Sequence, residues 1–269
     1  SPLVAASGTV GSVVDFAAVG ALAHYGAAVA KSVSEEPWAG RPAPRLHPVG
    51  RGMLNGIGIQ NPGIAAWMAS VAPRIPAAGV PVWGSVVGKS ADEFARVAAA
   101  MTGSGVAAIE VNLSCPNLER GSMFALDPGA AAEVVAAVRA ATTLPLGAKL
   151  SPNAADVAAV AAAVAAAGAD FVVVANTVFG AAIDPGTRRP ALSGVIGGYS
   201  GAPIKPIAVR AVIEVRRALP DLPIVGCGGV RCGADVVEFL LAGSQAVALG
   251  TVYFADPRAG RGIVRDLHR

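Results

Sequence analysis

The sequence predicts an α/β fold of the (β/α)8 TIM-barrel type, in a single domain over residues 1–269, and three observations support this prediction. Short apolar, β-branched stretches alternate with alanine-rich helical stretches along the whole chain. Eight such stretches match the strand number of a barrel. An open doubly wound sheet reaches eight strands less often and usually begins with a glycine fingerprint. No linker, composition shift or internal repeat divides the chain.

The predicted strands are the apolar stretches Leu3–Ala6, Ala27–Val33, Val80–Val87, Val106–Leu113, Leu144–Leu150, Phe171–Asn176, Pro223–Gly226 and Ala246–Leu249. The predicted helices are Ala91–Thr102, Pro128–Thr142, Ala154–Ala167, Pro206–Leu219, Ala234–Ala242 and a short C-terminal helix. Polar side chains that accept from free backbone N–H groups favour helix starts at Asp92, Asp127 and Asn153. The segments Ser34–Asn61 and Gly180–Pro203 are predicted to be irregular loops, and long loops in compact domains are usually functional.

Composition excludes several classes of protein. A net charge of +3 without clustered basic residues suits a small acidic ligand better than nucleic acid. The cysteines at 115, 227 and 232 are too few for a disulfide framework or for the four thiolates of an iron–sulfur cluster, which indicates a reducing, cytoplasmic location. The most apolar run, Val157–Ala169, is too short to span a membrane.

Two glycine-rich stretches resemble nucleotide-binding loops but lack the required spacing. The stretch from Gly84 to Ser90 has three residues between its glycines where a P-loop needs four. The stretch from Gly226 begins like a dinucleotide fingerprint, but Arg231 stands where the third glycine belongs. Neither stretch supports direct nucleotide binding of these types.

Polar residues or glycines follow nearly every predicted strand, and a barrel collects its chemistry at these C-terminal strand ends. The residues concerned are Ala6-Ser7-Gly8, Lys31-Ser32, Ser85, Asn112, Cys115, Asn117, Lys149, Ser151, Asn176-Thr177, Gly228-Gly229 and Gly250-Thr251. Glycines after the seventh and eighth strands are typical of a barrel phosphate site, where N–H groups point at an anion. With two inward lysines, they predict a phosphate-bearing cofactor.

The stretch EVNLSCPN, from Glu110 to Asn117, ends the fourth strand with a thiol between two asparagines. Asparagine is depleted in strands, and the residue before proline is held extended, so Cys115 lies on a stiff backbone. Taken alone, this stretch fits either a turn rich in hydrogen bonds or a functional site.

Segments in the same order along the whole chain resemble dihydroorotate dehydrogenase of class 1. These segments are VAASGT, AKSV, PR at Pro44-Arg45, GMLNGIGIQNPG, EVNLSCPN, AKLSPN, ANT, GTRRP, GGYSGAPIKPIAVR, GCGGV and ALGT. NLSCPN with GIGIQNPG is the specific part, because many flavin barrels share GGV and ALGT. The membrane-bound class of this family uses serine at the position of Cys115.

The resemblance implies FMN as cofactor and Cys115 as the catalytic base. The substrate residues that it implies are Lys31, Asn55, Ile57, Gly58, Ile59, Asn112, Asn117, Asn176 and Thr177. The cofactor residues that it implies are Ala6, Ser7, Gly8, Lys31, Ser32, Ser85, Asn112, Lys149, Ser200, Gly201, Gly228, Gly229, Gly250 and Thr251. Lys149 would lie beside the N1/O2 edge of the flavin.

The implied chemistry suits these residue types. Oxidation of dihydroorotate to orotate removes a proton from C5, which a thiolate can take, and a hydride from C6, which a flavin accepts. The run from Phe124 to Pro128 and the GTRRP segment resemble class 1B, whose catalytic subunit passes electrons to NAD through a subunit carrying FAD and a [2Fe-2S] cluster. We also expect a homodimeric core. A fumarate-dependent class 1A enzyme, an enzyme acting on uracil or thymine, and a non-catalytic FMN- or phosphate-binding barrel remain alternatives.

Overall fold

The computed structural model describes residues 1–20, 22–114, 116–117 and 122–267, with only the backbone at 116, 117 and 122. The strands in this part of the chain are β1 Leu3–Ala5, β2 Ala27–Val29, β3 Leu46–Val49, β4 Gly52–Asn55, β5 Val82–Val86, β6 Ala108–Asn112, β7 Pro116–Asn117, β8 Ser122–Met123, β9 Leu146–Lys149, β10 Phe171–Val174, β11 Val178–Ala181, β12 Ile183–Asp184, β13 Arg189–Pro190, β14 Ile196–Gly201, β15 Ile224–Cys227 and β16 Ala246–Leu249. Its α-helices are α1 Ile64–Ser70, α2 Ala91–Thr102, α3 Pro128–Ala141, α4 Val157–Ala166, α5 Lys205–Ala218, α6 Gly233–Leu241 and α7 Ala259–Leu267.

Eight parallel strands close into a barrel in the order β1-β16-β15-β10-β9-β6-β5-β2, which confirms the predicted fold class. All eight predicted strands are present: six have shorter bounds than predicted, β15 is shifted by one residue, and β16 has the predicted bounds. The register sets Asn112 on β6 beside Lys149 on β9, and Glu110 beside Gly147. Because side chains alternate across a strand, Glu110 and Asn112 point to the same face of β6.

The barrel interior changes from apolar to polar along its axis. At the end where the strands begin, the rings of Trp83 and Phe171 lie 5.0 Å apart between centroids. A Cβ added at Gly147 would collide with the Phe171 ring, so this position must lack a side chain. Two residues further along the same strands come Ser85, Lys149 and Val173. The aromatic pair therefore fills one end of the barrel, and the polar residues collect at the other.

The helices bury one apolar face against the outside of the barrel. Phe94 of α2, Val134 of α3, Val160 of α4, Val212 of α5 and Phe239 of α6 are all fully buried. No helix in the described residues is long and apolar enough to cross a bilayer.

Two of the three predicted helix starts were wrong. Asp127 does cap α3, by accepting from the N–H of Ala130 at 2.6 Å. Helix α2 is instead capped by Ser90, which leaves Asp92 in its first turn, and α4 is capped by Asp156. Asn153 lies before α4 and uses its amide elsewhere, as described below.

The two segments predicted to be irregular loops contain strands, which corrects that prediction. Strands β3 and β4 come from the first segment, and β11 to β14 lie in or next to the second. Four of these strands form an antiparallel sheet in the order β11-β14-β4-β3, which we call the mouth sheet. It belongs to the loops that follow β2 and β10, and it therefore stands over the C-terminal end of the barrel.

Candidate active site at the barrel mouth

A hydrogen-bonded row of polar side chains crosses the barrel mouth. The Ser32 and Ser85 hydroxyls lie 2.9 Å apart, and the amide of Asn112 donates to the Ser32 oxygen at 3.0 Å. The amide of Asn176 lies 3.5 Å from the side-chain oxygen of Asn112. The row joins residues from the ends of β2, β5, β6 and β10, so the predicted convergence of strand ends is present in the fold.

The mouth sheet adds a second group of polar residues to this row. The N–H of Thr177 donates to the side-chain oxygen of Asn176 at 2.7 Å, and Asn55 donates from its amide to the Gly198 carbonyl at 3.1 Å. A Cβ at Gly198 would collide with the Thr177 hydroxyl, so Asn55, Gly198 and Thr177 form one contact. Three of the four predicted asparagines, at 55, 112 and 176, are therefore near one another.

Two lysines point into the barrel below the amides. Lys149 is buried, and its ammonium group lies 3.8 Å from the Glu110 carboxylate. Burial, followed by the nearby charge of Lys149, lowers the pKa of Lys31. Burial alone would lower the pKa of Lys149 too, but Glu110 and then Cys227 outweigh it and raise that pKa. Lys149 is therefore held as a cation.

The predicted phosphate residues lie together after the last barrel strands. A Cβ at Gly229 would lie 3.0 Å from the Gly201 carbonyl oxygen, and a Cβ at Gly201 would lie 3.7 Å from Thr251. Gly228 and Gly229 both have positive φ, at 140° and 76°. The hydroxyl of Ser200 donates to the Met53 carbonyl at 3.4 Å, which joins this region to the mouth sheet.

Gly250 differs from the other glycines of this cluster. A Cβ there would touch only Ala6 and Thr9, each at 3.8 Å, so the space beside this backbone is open. Its φ of −127° and ψ of −95° lie outside the regions that residues with a side chain usually adopt, so the backbone favours glycine here, and the open space lets a ligand approach it closely. The residues present therefore fit a phosphate-bearing cofactor.

The other predicted ligand-binding residues line the loops around the mouth. Ser7 donates to the carbonyl of Ala30 at 2.7 Å, which holds the loop after β1 against β2, and Gly8 beyond it has φ of 86°. Ala6 is buried in the barrel interior. In the loop after β4, Ile57 accepts from the N–H of Arg41 at 3.0 Å, and Gly58 and Ile59 both have positive φ.

Cys115 lies outside the described residues, as does the side chain of Asn117. Their predicted roles as base and substrate ligand therefore stay predictions. In the described backbone, β6 ends at Asn112, and the short antiparallel pair β7 and β8 follows. Cys227 is buried inside the barrel.

Sequence reasoning missed two polar residues of this site. Glu110 begins the EVNLSCPN stretch and was given no role, although its spacing of two from Asn112 indicates the same strand face. Asn153 donates from its amide to Ser151 at 2.8 Å and to the carbonyl of Thr177 at 3.0 Å, and it accepts from the N–H of Phe179. No local pattern indicated this role for Asn153, because its partners lie up to 26 residues away.

The fold and this site define a class of protein: a (β/α)8 barrel whose mouth combines buried cations, amides and an open glycine cradle. The chain belongs to the dihydroorotate dehydrogenase family, whose model matches residues 1–269. Members of this family depend on a flavin.

Several relatives align along the full chain. A dihydroorotate dehydrogenase B (NAD(+)) catalytic subunit of Citrifermentans bemidjiense is 46% identical and covers 100% of this chain and 88% of its own length. The protein of the same name from Desulforudis audaxviator is 44% identical with the same coverage. A solved dihydroorotate dehydrogenase from Eimeria tenella, in complex with ferulenol, superimposes with a TM-score of 0.80 over 99% of this chain and 80% of its own. At 19% identity that structure supports the fold alone.

Proposed function

We propose that this chain is the FMN-binding catalytic subunit of an NAD-linked dihydroorotate dehydrogenase. It would oxidise dihydroorotate to orotate in pyrimidine biosynthesis, in the cytoplasm. The observation that supports this most directly is the meeting of Asn112, Asn176 and Lys149 at one end of the barrel, beside the glycine cradle. The names of the full-length relatives support the NAD-linked class.

The asparagine amides suit the substrate ring. A dihydropyrimidine ring presents alternating N–H and C=O groups, and each amide offers both a donor and an acceptor. Asn112 and Asn176 already hold one another through a hydrogen bond, so they are oriented before a ligand arrives. Asn55 is held by Gly198 on the mouth sheet, which would place it against the ring from the opposite wall.

The reaction needs a base, a hydride acceptor and a positive charge. FMN supplies the hydride acceptor when it is bound. Cys115 is the proposed base for the proton on C5 of the substrate, a role that rests on the family resemblance. Lys149 offers a buried positive charge that stabilises the negative charge developing on a reduced cofactor.

The proposed phosphate contacts come from the glycine cradle. N–H groups after β15 and β16 would meet the FMN phosphate, with Ser200 and Gly201 at the end of β14 closing the other side. Electrons would leave through a partner subunit that carries FAD and a [2Fe-2S] cluster, and two copies of this chain would form the core of the complex.

Anaerobic mixing tests the proposal with a spectrum. Purified protein should be yellow, should release FMN on denaturation, and should lose its visible flavin absorption when dihydroorotate is added. A yellow protein that dithionite bleaches but dihydroorotate does not would instead support a non-catalytic FMN-binding barrel. Bleaching by dihydrouracil with equal efficiency would move the substrate to the related pyrimidines without a carboxylate.

A further inference from the structure

Glu110 is a carboxylate inside the barrel, on the same face of β6 as Asn112. Its side chain is 1% exposed, and it lies 3.8 Å from the ammonium group of Lys149, whose side chain is 7% exposed. The Oε1 atom of Glu110 has no hydrogen-bond partner among the described residues. A buried carboxylate normally has several hydrogen bonds, so the ion pair with Lys149 is the main compensation that the described residues offer.

Among the residues that the structure describes, three charged or titratable groups interact with Lys149 from the strands around it. Glu110 comes from β6, Cys227 from β15, and Lys31 follows β2. Burial raises the pKa of the Cys227 thiol, so this group is protonated at neutral pH and supports the charge of Lys149 only as a thiolate at higher pH. Lys149 in turn lowers the pKa of Lys31, as a like charge does. Burial also raises the pKa of Glu110, and the charge of Lys149 opposes that rise, so each member of the pair favours the charged form of the other. At 3.8 Å, Glu110 is the carboxylate among the described residues that can keep Lys149 charged in this low-dielectric interior.

We propose that Glu110 is a positioning residue, which acts on the flavin through Lys149 by fixing the charge and place of its ammonium group. This inference rests on the proposed function, because it needs a flavin above Lys149. Without the carboxylate, Lys149 would be left with burial and the repulsion of Lys31, and both favour its neutral form. A neutral Lys149 would no longer stabilise negative charge on the reduced cofactor, and the cofactor would become harder to reduce.

A purely structural role for the pair is the weaker explanation. The free energy needed to remove two charges from water often exceeds the free energy gained from their attraction. Buried ion pairs can therefore be replaced by apolar residues without loss of stability. Other interior positions of the barrel are filled by alanine, valine and cysteine. An apolar residue would therefore suit the barrel interior, yet position 110 carries a carboxylate.

The test measures the reduction potential of bound FMN against pH, from pH 6 to pH 9. Wild-type protein is loaded with FMN first and titrated with dithionite, without any substrate. If the wild-type protein binds no FMN, the proposed function itself is wrong. The comparison of variants, in contrast, tests the role of Glu110. Wild-type protein should show no ionisation of Lys149 in this range, since the pKa of that lysine is raised.

Three variants are compared with it. In Glu110→Gln the potential should lie below that of wild type, and the gap should not shrink as the pH rises, because loss of the carboxylate lowers the pKa of Lys149 and its charged fraction falls with increasing pH. In Lys149→Gln the potential should be low at every pH. Asp235→Asn is the matched control: it also removes a buried carboxylate from a lysine, at 2.7 Å, but in the outer helical layer, and its profile should follow wild type.

The Glu110→Asp variant tests whether the position of the carboxylate matters as well as its charge. It keeps the carboxylate but moves it away from Lys149, so its profile should lie between those of wild type and Glu110→Gln. A potential in Glu110→Gln that equals or exceeds wild type at every pH would overturn the inference. Should Glu110→Gln not fold, a wild-type profile in Glu110→Asp would overturn it instead.

Discussion

Asn112 connects three strand ends at the barrel mouth through its side-chain amide. Strand alternation and the end of a buried apolar run were enough to place its amide at the barrel mouth. Its partners Ser32 and Asn176 lie 80 and 64 residues away, so their distances depend on barrel closure and register. The sequence therefore predicted which residues meet, and the fold was needed to show how they are joined.

Gly250 gives a test of the cofactor cradle at the level of one residue. A Cβ has room there, but the φ of −127° and ψ of −95° disfavour a side chain, so Gly250→Ala should fold with a loss of stability of about 1–3 kcal/mol. The added methyl should also crowd a bound phosphate, at a cost of about 1–3 kcal/mol, which weakens FMN binding about 5- to 150-fold. Thermal unfolding of the apoprotein and fluorescence titration with FMN measure the two effects.

Gly229→Ala is a second variant of the cradle. Its φ of 76° disfavours a side chain, and the Cβ would lie 2.8 Å from the Cβ of Lys205. This variant should lose both stability and FMN affinity. Wild-type FMN affinity in Gly250→Ala would show that the phosphate lies elsewhere.

Cys115 can be tested although it lies outside the described residues. If it is the base, Cys115→Ala should keep FMN and orotate binding and slow flavin reduction by dihydroorotate by about 10²–10⁴-fold. Stopped-flow absorbance measures the reduction step, and dithionite titration shows whether the flavin itself is intact. Near-normal reduction in the variant would assign the base to another residue.

The mouth sheet contains the strands that could not be predicted from the sequence. Strands β4 and β14 are rich in glycine and polar residues, as GMLN and IGGYSG, and neither has the alternation that identifies a strand. They pair across more than 140 residues, with Asn55 opposite Gly198. Barrel strands were easier to find because both of their faces are buried and their sequences are therefore continuously apolar.

Helices α5 and α6 are joined by a partly buried ion pair whose contribution should depend on pH. Lys205 at the start of α5 contacts Asp235 at 2.7 Å, and Asp235 also accepts from the N–H groups of Arg231 and Cys232. Burial alone would raise the pKa of Asp235, but Lys205 and these N–H groups outweigh it and lower that pKa. The folded state therefore favours the ionised carboxylate.

Asp235→Asn should consequently lower the free energy of unfolding at pH 7 by about 1–3 kcal/mol, the usual cost of losing hydrogen bonds to a charged group. The lowered pKa means that the stability is fully present above the unfolded value near ~4 and is lost as the pH falls through the folded pKa. Urea unfolding of both proteins from pH 7 to pH 3 should show the difference shrinking. A difference that is constant with pH would mean that ionisation of Asp235 does not contribute.

On the scale of the whole molecule, the barrel separates stability from chemistry along its axis. Aromatic and small apolar side chains fill the end where strands begin, and Lys149, Asn112 and the mouth sheet occupy the other. This division allowed the fold to be predicted from apolar periodicity and the site from strand ends. The mouth also exposes apolar side chains, among them Phe179 and Ile196 on β11 and β14. An exposed apolar surface beside a site favours a partner protein there.

The electron acceptor is the property that tests the molecule as part of a complex. Passing electrons singly through an iron–sulfur cluster needs four thiolates, and the chain has three cysteines, of which Cys227 is buried and Cys115 is the proposed base. The one dinucleotide-like glycine run has Arg231 in place of its last glycine, so direct reduction of NAD is not expected. The isolated chain should therefore oxidise dihydroorotate with an artificial dye acceptor and reduce NAD negligibly, and adding the flavin/iron–sulfur subunit should restore NAD reduction. Absorbance at the NADH band, measured with and without that subunit, tests this prediction. Efficient NAD reduction by the chain alone would refute the two-subunit arrangement. Turnover with fumarate would place the enzyme in class 1A.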